Sequence, residues 1–405
     1  MKKYIIVGNG ITGITTAQAI IRADANAEPH ILGGEAYPYY QRPRLCEFVA
    51  GKVEQDDLYF RSLEWYKNKG IHVHVDVRVT ELDTDKHILS LADGTSMDYD
   101  RLLLATGARA FVPPIAGSEK SGVFALRSMD DALAITEQVK RSSSAAVIGG
   151  GLLGLEIARA LRSAGLDVTV IEHSAHLLPR QLDAEGARVL QSLLEAQGLN
   201  ILTKGETETI TGDTHATGVR LKDGRMVNGE LVIISTGIRS RVELARDAGL
   251  NVNRGVVVDE RLRTSAADVY AAGDVAEFSG IVYGIIPAAI EQARVAAANM
   301  VEPESSVYRG TVRLTTLKVA GVDLTCLGEA IASGDEYDIL RFEEQATGVY
   351  RRLALRDGKI VGVILLGDSQ DAQVLKKLIT SGRDVSAFYP QLLDKEFNLR
   401  SLLAS

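Results

Sequence analysis

The sequence of 405 residues predicts an α/β fold with two βαβ units and a C-terminal α+β domain. Two glycine motifs, GNGITG at residues 8–13 and GGGLLG at residues 149–154, each follow a short apolar run and precede an apolar stretch with helical spacing. Two further patterns recur at one shared offset, a DG turn at Gly94 and Gly224 and a TG turn at Gly107 and Gly237. From about Tyr308 the chain changes to mixed strand patterns.

The first unit begins with a strand predicted over residues 4–7 and continues, after its glycines, into a helix over residues 14–21. Gly8 permits a tight turn, Gly10 lets the backbone approach a diphosphate, and Gly13 lets the helix pack closely against the strand. The diphosphate of a dinucleotide would then lie at the N-terminus of the helix. We therefore predict that these three glycines bind one dinucleotide.

The second unit repeats this pattern, with elements predicted over residues 145–148, 155–164 and 167–172. The corresponding glycines are Gly149, Gly151 and Gly154. Glu172 ends the second strand of this unit, where an acidic side chain hydrogen-bonds the ribose 2′-hydroxyl of NAD. The sequence therefore predicts NADH as the second dinucleotide. NADPH is less favoured, although Arg180 is near enough in the sequence to keep it open.

The doubled pattern predicts two Rossmann-like nucleotide-binding domains, the second inserted in the first. The first domain is predicted over residues 1–110 and 236–307, the second over residues 111–235, and the α+β domain over residues 308–405. A chain of this length fits two or three domains of ordinary size. The residue patterns also predict strands over residues 73–85 and 87–91 and a helical tail over residues 387–403.

The composition argues against several classes of protein. A net charge of −8 gives no general attraction to nucleic acid. The two cysteines, Cys46 and Cys326, form no CxxC motif and predict neither a disulfide framework nor a metal site. His72 and His74 share one face of a predicted strand without a third ligand in the pattern.

No run approaches the roughly 20 apolar residues of a membrane span, and the apolar start leads into the first glycine motif rather than a signal peptide. We expect a cytoplasmic protein.

These motifs resemble those of the two-dinucleotide flavoprotein reductases of the glutathione-reductase type, and the resemblance covers nearly the whole chain. Besides the glycine motifs, it is carried by ATGAR at residues 105–109, GIR at 237–239 and YAAGDVAE at 270–277. PYYQRPRL at residues 38–45 and LKVAGVDL at 317–324 are similar to NADH:rubredoxin reductases and to the flavin module of NADH nitrite reductases. The resemblance implies FAD as the first dinucleotide.

The resemblance also implies individual contacts with the cofactors. Asp274 would accept a hydrogen bond from the ribityl chain of FAD, and Gly273 would permit its close approach. Arg42 would contact the FAD diphosphate. Glu35 would bind the adenosine ribose, because glycines stand at the strand end where many relatives carry an acid. The remaining implied positions are Thr106 and Gly107 for FAD and Gly237 for NAD.

Residues 46 and 47 depart from the pattern of the family. Several relatives have serine followed by a lysine near the flavin, whereas this chain has Cys46 and Glu47. The role of that lysine is therefore not inherited, and Arg42 or Arg44 is left as the cation that could balance reduced flavin. Oxidases and peroxidases of this superfamily use a reactive cysteine in a serine-cysteine-glycine setting that this chain lacks. We interpret Cys46 as a packing residue.

The predicted function is an FAD-dependent reductase that takes a hydride from NADH and passes electrons to a small redox protein such as rubredoxin. Glu156 matches a family glutamate near the nicotinamide and is the candidate catalytic residue. Three alternatives stay open: an NADH oxidase or peroxidase that uses Cys46, an NADH-oxidising flavin subunit of a nitrite-reducing system, and a regulatory nucleotide-binding subunit. The oligomeric state is open between a monomer and a homodimer.

Overall fold

The fold is described from a computed structural model, which covers residues 2–311, 314–319, 321–394 and 396–404. The chain divides into two compact units. The first comprises the residues up to Leu45 together with Val53–Ala110 and Ile238–Thr311. The second comprises Cys46–Lys52, Phe111–Gly237 and the described residues from 314 onward. The division into three domains stays a prediction.

A five-stranded parallel sheet forms the centre of the first unit. In spatial order its strands are Val269–Ala271, Arg101–Leu104, Tyr4–Val7, His30–Leu32 and His72–His74. A three-stranded antiparallel sheet contains Val79–Asp83, Ile88–Leu91 and Ser96–Asp98. Two strand pairs join Ile238–Ser240 to Ala108–Ala110 and Val256–Val258 to Ala276–Phe278. The apolar run Tyr4–Val7 is buried throughout, as is typical of a parallel strand covered on both faces.

The α-helices that lie wholly within the first unit are Ile11–Ala23, Leu63–Asn68, Glu243–Asp247 and Ile286–Val301. Three 3₁₀ helices accompany them at Arg42–Arg44, Gln55–Leu58 and Gly273–Val275. The first helix buries Ile14, Ala17 and Ile20, which recur at the spacing of one helical face. It begins earlier than the sequence predicted, because Gly10 is already its N-cap residue.

The second unit contains another five-stranded parallel sheet. Its strands, in spatial order, are Asn200–Leu202, Asp167–Ile171, Ser144–Ile148, Leu231–Ile234 and Val123–Phe124. A three-stranded antiparallel sheet contains Thr207–Thr211, Gly218–Leu221 and Met226–Asn228. The helices of this part are Met129–Val139, Leu152–Ser163 and Ala184–Ala196, and the short helix Leu45–Val49 contributes Cys46 to the same unit. Both predicted βαβ units are thus present.

The C-terminal part of the second unit is a five-stranded antiparallel sheet with two helices. Its strands, in spatial order, are Leu314–Val319, Val322–Gly328, Lys359–Leu366, Val349–Arg356 and Asp338–Glu344. The helices Ala372–Ser381 and Ser401–Ala404 flank a 3₁₀ helix at Ser386–Gln391. The region over residues 308–405 is therefore of the predicted α+β class as far as it is described.

Two predicted elements are wrong. The continuous helical tail over residues 387–403 is replaced by separate short segments, and Pro390 lies inside the first of them, where it has no N–H to donate and obstructs an α-helix. The single strand predicted over residues 73–85 is divided: His72–His74 joins the parallel sheet, and Val79–Asp83 joins an antiparallel one. Asp76, with φ of 55°, turns the chain between them.

No helix among the described residues combines the length and the apolar character needed to cross a membrane.

Candidate functional site

The first glycine turn has two positions that the backbone fills and one that it leaves open. A Cβ atom on Gly8, whose φ is +125°, would lie 2.1 Å from the carbonyl oxygen of Ala105. A Cβ on Gly13 would lie 2.1 Å from the carbonyl oxygen of Gly8, whereas one on Gly10 would have no atom within 4 Å. Gly10 is also the N-cap of the helix Ile11–Ala23 and provides no side-chain cap. The N–H groups of this helix end are therefore available to an anion.

The second glycine turn repeats this geometry. A Cβ on Gly149, with φ of +116°, would lie 2.2 Å from the carbonyl oxygen of Ser235, and one on Gly154 would lie 1.9 Å from that of Gly149. Gly151 has open space at its Cβ position and is the uncapped N-cap residue of the helix Leu152–Ser163. Each compact unit thus contains one glycine turn with the form of a diphosphate cradle.

Gly273 and Asp274 lie beside the first glycine turn. A Cβ on Gly273, with φ of +81°, would lie 2.3 Å from Oγ1 of Thr12. The N–H of Gly273 donates to Oε1 of Gln292 at 2.8 Å, and the carbonyl oxygen of Asp274 accepts a hydrogen bond from Oγ of Ser240 at 2.7 Å. These bonds hold the backbone of the Asp274 turn, so that its half-buried side chain is presented from a fixed position.

Glu35 and Arg42, which the resemblance assigns to different parts of FAD, bind each other. Nη2 of Arg42 lies 2.5 Å from Oε1 of Glu35, and the hydroxyl of Tyr40 donates to Oε2 of Glu35 at 2.5 Å. Arg42 also donates through Nη1 to the oxygen of Tyr40 at 2.9 Å. Burial opposes the charge of Arg42, but Tyr40, Glu35 and Asp274 outweigh it and raise the pKa of Arg42. The guanidinium therefore belongs to the same electrostatic neighbourhood as Asp274.

The two TG turns are anchored in equivalent ways. Oγ1 of Thr106 donates to the carbonyl oxygen of Arg241 at 2.8 Å, and Oγ1 of Thr236 donates to that of Phe111 at 2.7 Å. Gly107 and Gly237 follow with φ of +68° and +113°, and neither has an atom within 4 Å of its Cβ position. In each unit, the glycine that follows the buried strand therefore has space beside its backbone that no protein atom fills.

Glu172 closes over the second glycine turn. Its Oε2 accepts a hydrogen bond from the N–H of Gly150 at 2.7 Å, and its Oε1 accepts one from the N–H of Ser174 at 2.6 Å. The residue is 8% exposed, so its orientation is fixed by these two bonds. Because each carboxylate oxygen has more than one acceptor position, a ribose hydroxyl can still donate to it. Arg180 is exposed.

Glu156 and Cys46 belong to one acidic cluster in the second unit. Burial raises the pKa of Glu156, Arg159 lowers it and Glu47 raises it again. Burial, Glu156 and Glu47 together raise the pKa of the Cys46 thiol to about 12. A catalytic cysteine needs the opposite environment, since the thiolate is the nucleophile. The cluster therefore keeps Cys46 as a thiol.

The glycine turn of each unit fits the diphosphate of a dinucleotide. In the first unit, Oδ1 of Asn9 is buried without a hydrogen-bond partner among the described residues, and the neighbouring Gly10 leaves the open position of the cradle. In the second unit, Gly151 leaves an equivalent opening and Glu172 lies against the same turn. The donor and acceptor sets match a diphosphate with a ribose.

Sequence reasoning missed Gln292 and the role of Tyr40. Gln292 is 1% exposed and lies on a face of the helix Ile286–Val301 that is otherwise rich in buried alanines. A glutamine among alanines on a buried face was the available signal. Tyr40 stood within a motif quoted for the resemblance, but nothing in the sequence pairs its hydroxyl with Glu35. Gln292 binds the backbone of Gly273, and Tyr40 binds the carboxylate of Glu35. The resemblance assigns both Gly273 and Glu35 to the binding of FAD.

Family models cover most of the chain. The model of pyridine nucleotide-disulphide oxidoreductases matches residues 2–299, and the model of the rubredoxin NAD⁺ reductase C-terminal domain matches residues 314–383. The chain belongs to the pyridine nucleotide-disulphide oxidoreductase family. This confirms the family and the α/β fold class that the sequence predicted.

Individual relatives carry different names. The chain is 35% identical over 396 residues to the assimilatory nitrate reductase electron transfer subunit of Bacillus subtilis, covering 98% of this chain and 51% of that protein. It is 30% identical to the NADH oxidase of Methanocaldococcus jannaschii, covering 98% and 94% of the two chains. The crystal structure of NADH:rubredoxin oxidoreductase from Clostridium acetobutylicum superposes with a TM-score of 0.81 and 28% identity, covering 100% and 99%. The chain spans about half the length of the Bacillus subtilis relative.

Proposed function

We propose that the chain is an FAD-dependent oxidoreductase that takes a hydride from NADH and passes electrons to a small electron-carrier protein such as rubredoxin. The observation that carries this proposal is the pair of glycine turns, one in each compact unit, each with an open second glycine at an uncapped helix N-terminus. Family membership supports it, and so does the match of residues 314–383 to the rubredoxin NAD⁺ reductase C-terminal domain.

The FAD-binding residues of the proposal lie in the first unit. The N–H groups behind Gly10 bind the diphosphate, and Asp274 accepts a hydrogen bond from the ribityl chain. Arg42 supplies positive charge beside them, held by Glu35 and Tyr40. The remaining FAD positions are Gly8, Gly13, Thr106, Gly107 and Gly273.

The NADH-binding residues of the proposal lie in the second unit. Gly151 and the helix behind it bind the diphosphate, and Glu172 accepts a hydrogen bond from the ribose 2′-hydroxyl. A 2′-phosphate would bring a charge of about −1.5 to −2 against the buried Glu172 carboxylate, which favours NADH over NADPH. Glu156 is proposed to lie on the nicotinamide side, and Gly149, Gly154 and Gly237 complete the set.

FAD, when bound, would supply the redox chemistry: it would take a hydride, which is a proton with two electrons, from NADH, release the electrons singly and return the proton to solvent. The chain's own residues bind and orient the reactants, and no side chain is required as a proton donor or acceptor. The fixed backbone of the Asp274 turn and the buried Glu172 carboxylate provide this orientation, since both are held by hydrogen bonds already formed.

We retain the predicted domain division, with residues 1–110 and 236–307 binding FAD, residues 111–235 binding NADH and residues 308–405 forming the third domain. Both cysteines are free and buried, which is consistent with a reducing cytoplasm. A separate electron carrier is the proposed partner, and the chain acts as a monomer or a homodimer. The nitrite-reducing alternative differs only in the acceptor that receives the electrons.

The experiment is an anaerobic titration of the FAD-loaded protein with NADH, monitored by the visible flavin spectrum. Complete bleaching at one NADH per flavin, followed by NADH-dependent reduction of added rubredoxin, supports the proposal. A need for two equivalents with a charge-transfer band would indicate a second redox centre at Cys46. Absence of bleaching would leave a nucleotide-binding protein.

A cysteine-dependent oxidase or peroxidase is the second candidate, since one relative is named an NADH oxidase. The environment of Cys46 argues against it, because burial and two nearby carboxylates raise the pKa of the thiol. Peroxide turnover that disappears in Cys46→Ser while flavin reduction persists would reverse this preference.

A further inference from the structure

Three histidines stack at the edge of the parallel sheet in the first unit. The strands His30–Leu32 and His72–His74 pair with His30 opposite His72 and Leu32 opposite His74. Since alternate residues of a strand share one face, the three imidazoles lie on the same face. The ring centroids of His30 and His72 are 4.6 Å apart, and those of His30 and His74 are 5.4 Å apart. We call His30, His72 and His74 the histidine stack.

The contact between His30 and His74 limits how many protons the stack can hold. Nδ1 of His30 lies 3.1 Å from Nε2 of His74, which is a hydrogen-bond distance. Such a bond needs an N–H on one ring and a lone pair on the other, and a protonated imidazole has N–H groups on both nitrogens. The bond is therefore lost when both rings are charged.

The surroundings oppose protonation of the stack. Burial, followed by the charges of His72 and His74, lowers the pKa of His30, while Glu28 raises it and Lys3 lowers it further. Burial, followed by His72, lowers the pKa of His74. Oε2 of Glu28 lies 3.9 Å from Nε2 of His72, and the two side chains are 59% and 42% exposed, so solvent weakens their attraction. Three charged imidazoles would thus outnumber the carboxylate that faces them.

Hydrogen bonds connect the histidine stack to the loop of residues 33–39, which we call the Glu35 loop. The carbonyl oxygen of His74 accepts the N–H of Gly33 at 2.8 Å, and the carbonyl oxygen of Gly33 accepts the N–H of Val77 at 2.8 Å. The N–H of Asp76 then donates to the carbonyl oxygen of Glu35 at 2.9 Å. The strand His72–His74 is short and terminal in its sheet. Its loosening would therefore remove support from the Glu35 loop.

We propose that the histidine stack is an acid-sensitive latch, which holds the Glu35 loop in its FAD-binding form at neutral pH and releases it in acid. This inference rests on the proposed role of Glu35 in binding FAD. Because the pKa values of His30 and His74 in the folded protein lie below the ordinary value of 6.5, the stabilisation is complete above pH 6.5. It is lost as the pH falls from there through the lowered values.

The test measures the dissociation constant of FAD from the holoprotein between about pH 8 and pH 5, using the fluorescence of released flavin. If release of FAD is accompanied by uptake of one proton, the dissociation constant of FAD is expected to rise by up to about tenfold for each unit by which the pH is lowered. Each further proton multiplies this effect by the same factor. The double variant His30→Asn, His74→Gln places an amide group near each of the two bonded ring atoms, so that the oxygen of one can accept from the nitrogen of the other. These amides do not titrate, so the curve of the double variant should be flatter. The control His215→Gln changes an exposed histidine of the second unit and should keep the wild-type curve.

Equal pH dependence in the wild type and the double variant would overturn the latch. If the double variant fails to fold, His74→Gln alone and an NMR titration of the wild-type histidines replace it, and His30 and His74 titrating at or above their ordinary value would also overturn it. A protein that binds no FAD at any pH refutes the proposed function instead. FAD that is retained with a pH-independent constant refutes the latch alone.

Discussion

Substitution of the second glycine in each turn should separate ligand binding from folding. Gly151 has φ of −79° and ψ of 178°, which any residue adopts, and its Cβ position is open. Gly151→Ala should therefore cost about 1 kcal/mol of stability or less, since alanine is a poorer N-cap than glycine. In the proposed complex, however, the new methyl group occupies the space of the NADH diphosphate.

The expected effect on NADH is large. Loss of one hydrogen bond to a charged group costs about 1.5–3 kcal/mol, which corresponds to a rise in the KM for NADH of about 10- to 150-fold. The assay is anaerobic stopped-flow reduction of the flavin at varied NADH concentration. FAD content should stay at the wild-type level, because the first glycine turn lies in the other unit.

Three comparison variants sharpen this experiment. Gly10→Ala should reduce FAD content by the same reasoning. Gly154→Ala should lower the unfolding temperature, because its Cβ would lie 1.9 Å from a backbone oxygen and such overpacking costs at least about 1–3 kcal/mol. Ser163→Ala, at the exposed far end of the same helix, should change nothing. A wild-type KM in Gly151→Ala would refute the assignment of NADH to this turn.

Three further predictions concern single residues. Glu172→Gln should raise the KM for NADH and reduce the preference for NADH over NADPH in steady-state assays, because it removes the charge that repels a 2′-phosphate. An unchanged ratio of kcat/KM for the two coenzymes would contradict this role. Cys46→Ser should retain NADH-driven reduction of flavin and of an added electron carrier, since the raised pKa of the Cys46 thiol disfavours the reactive thiolate. Loss of both activities would show that Cys46 takes part in electron transfer. Gly273→Ala should lower FAD content measured by absorbance, because its Cβ would meet Oγ1 of Thr12 at 2.3 Å and displace the Asp274 turn. Full flavin occupancy would contradict the proposed role of this turn in binding FAD.

The sequence predicted the features that depend on local backbone demands. Each glycine turn is recognisable because a Cβ on Gly13 or Gly154 would meet the carbonyl oxygen of the first glycine in the same turn, and because that first glycine has a positive φ. This local pattern makes the two βαβ units evident without any knowledge of their packing, although both helices begin before the residue that the sequence predicted.

Features that depend on contacts between distant segments were not predictable. Glu35 and Arg42 were assigned separate ligands, yet they form one ion pair because the intervening chain folds back. His72 and His74 lacked a third imidazole in the sequence pattern, and parallel strand pairing supplies His30. The predicted helical tail is wrong for a local reason: its apolar spacing is that of a helix, but Pro390 interrupts it.

The segment Cys46–Lys52 groups with the second unit, although the residues on either side of it belong to the first. Neither unit can therefore be expressed from one uninterrupted piece of the gene. A truncated protein that begins at the predicted domain boundary after residue 110 would lack Cys46, which is buried, and the short helix that contains it. Engineering that exchanges one coenzyme-binding unit for another must carry this short segment along with it.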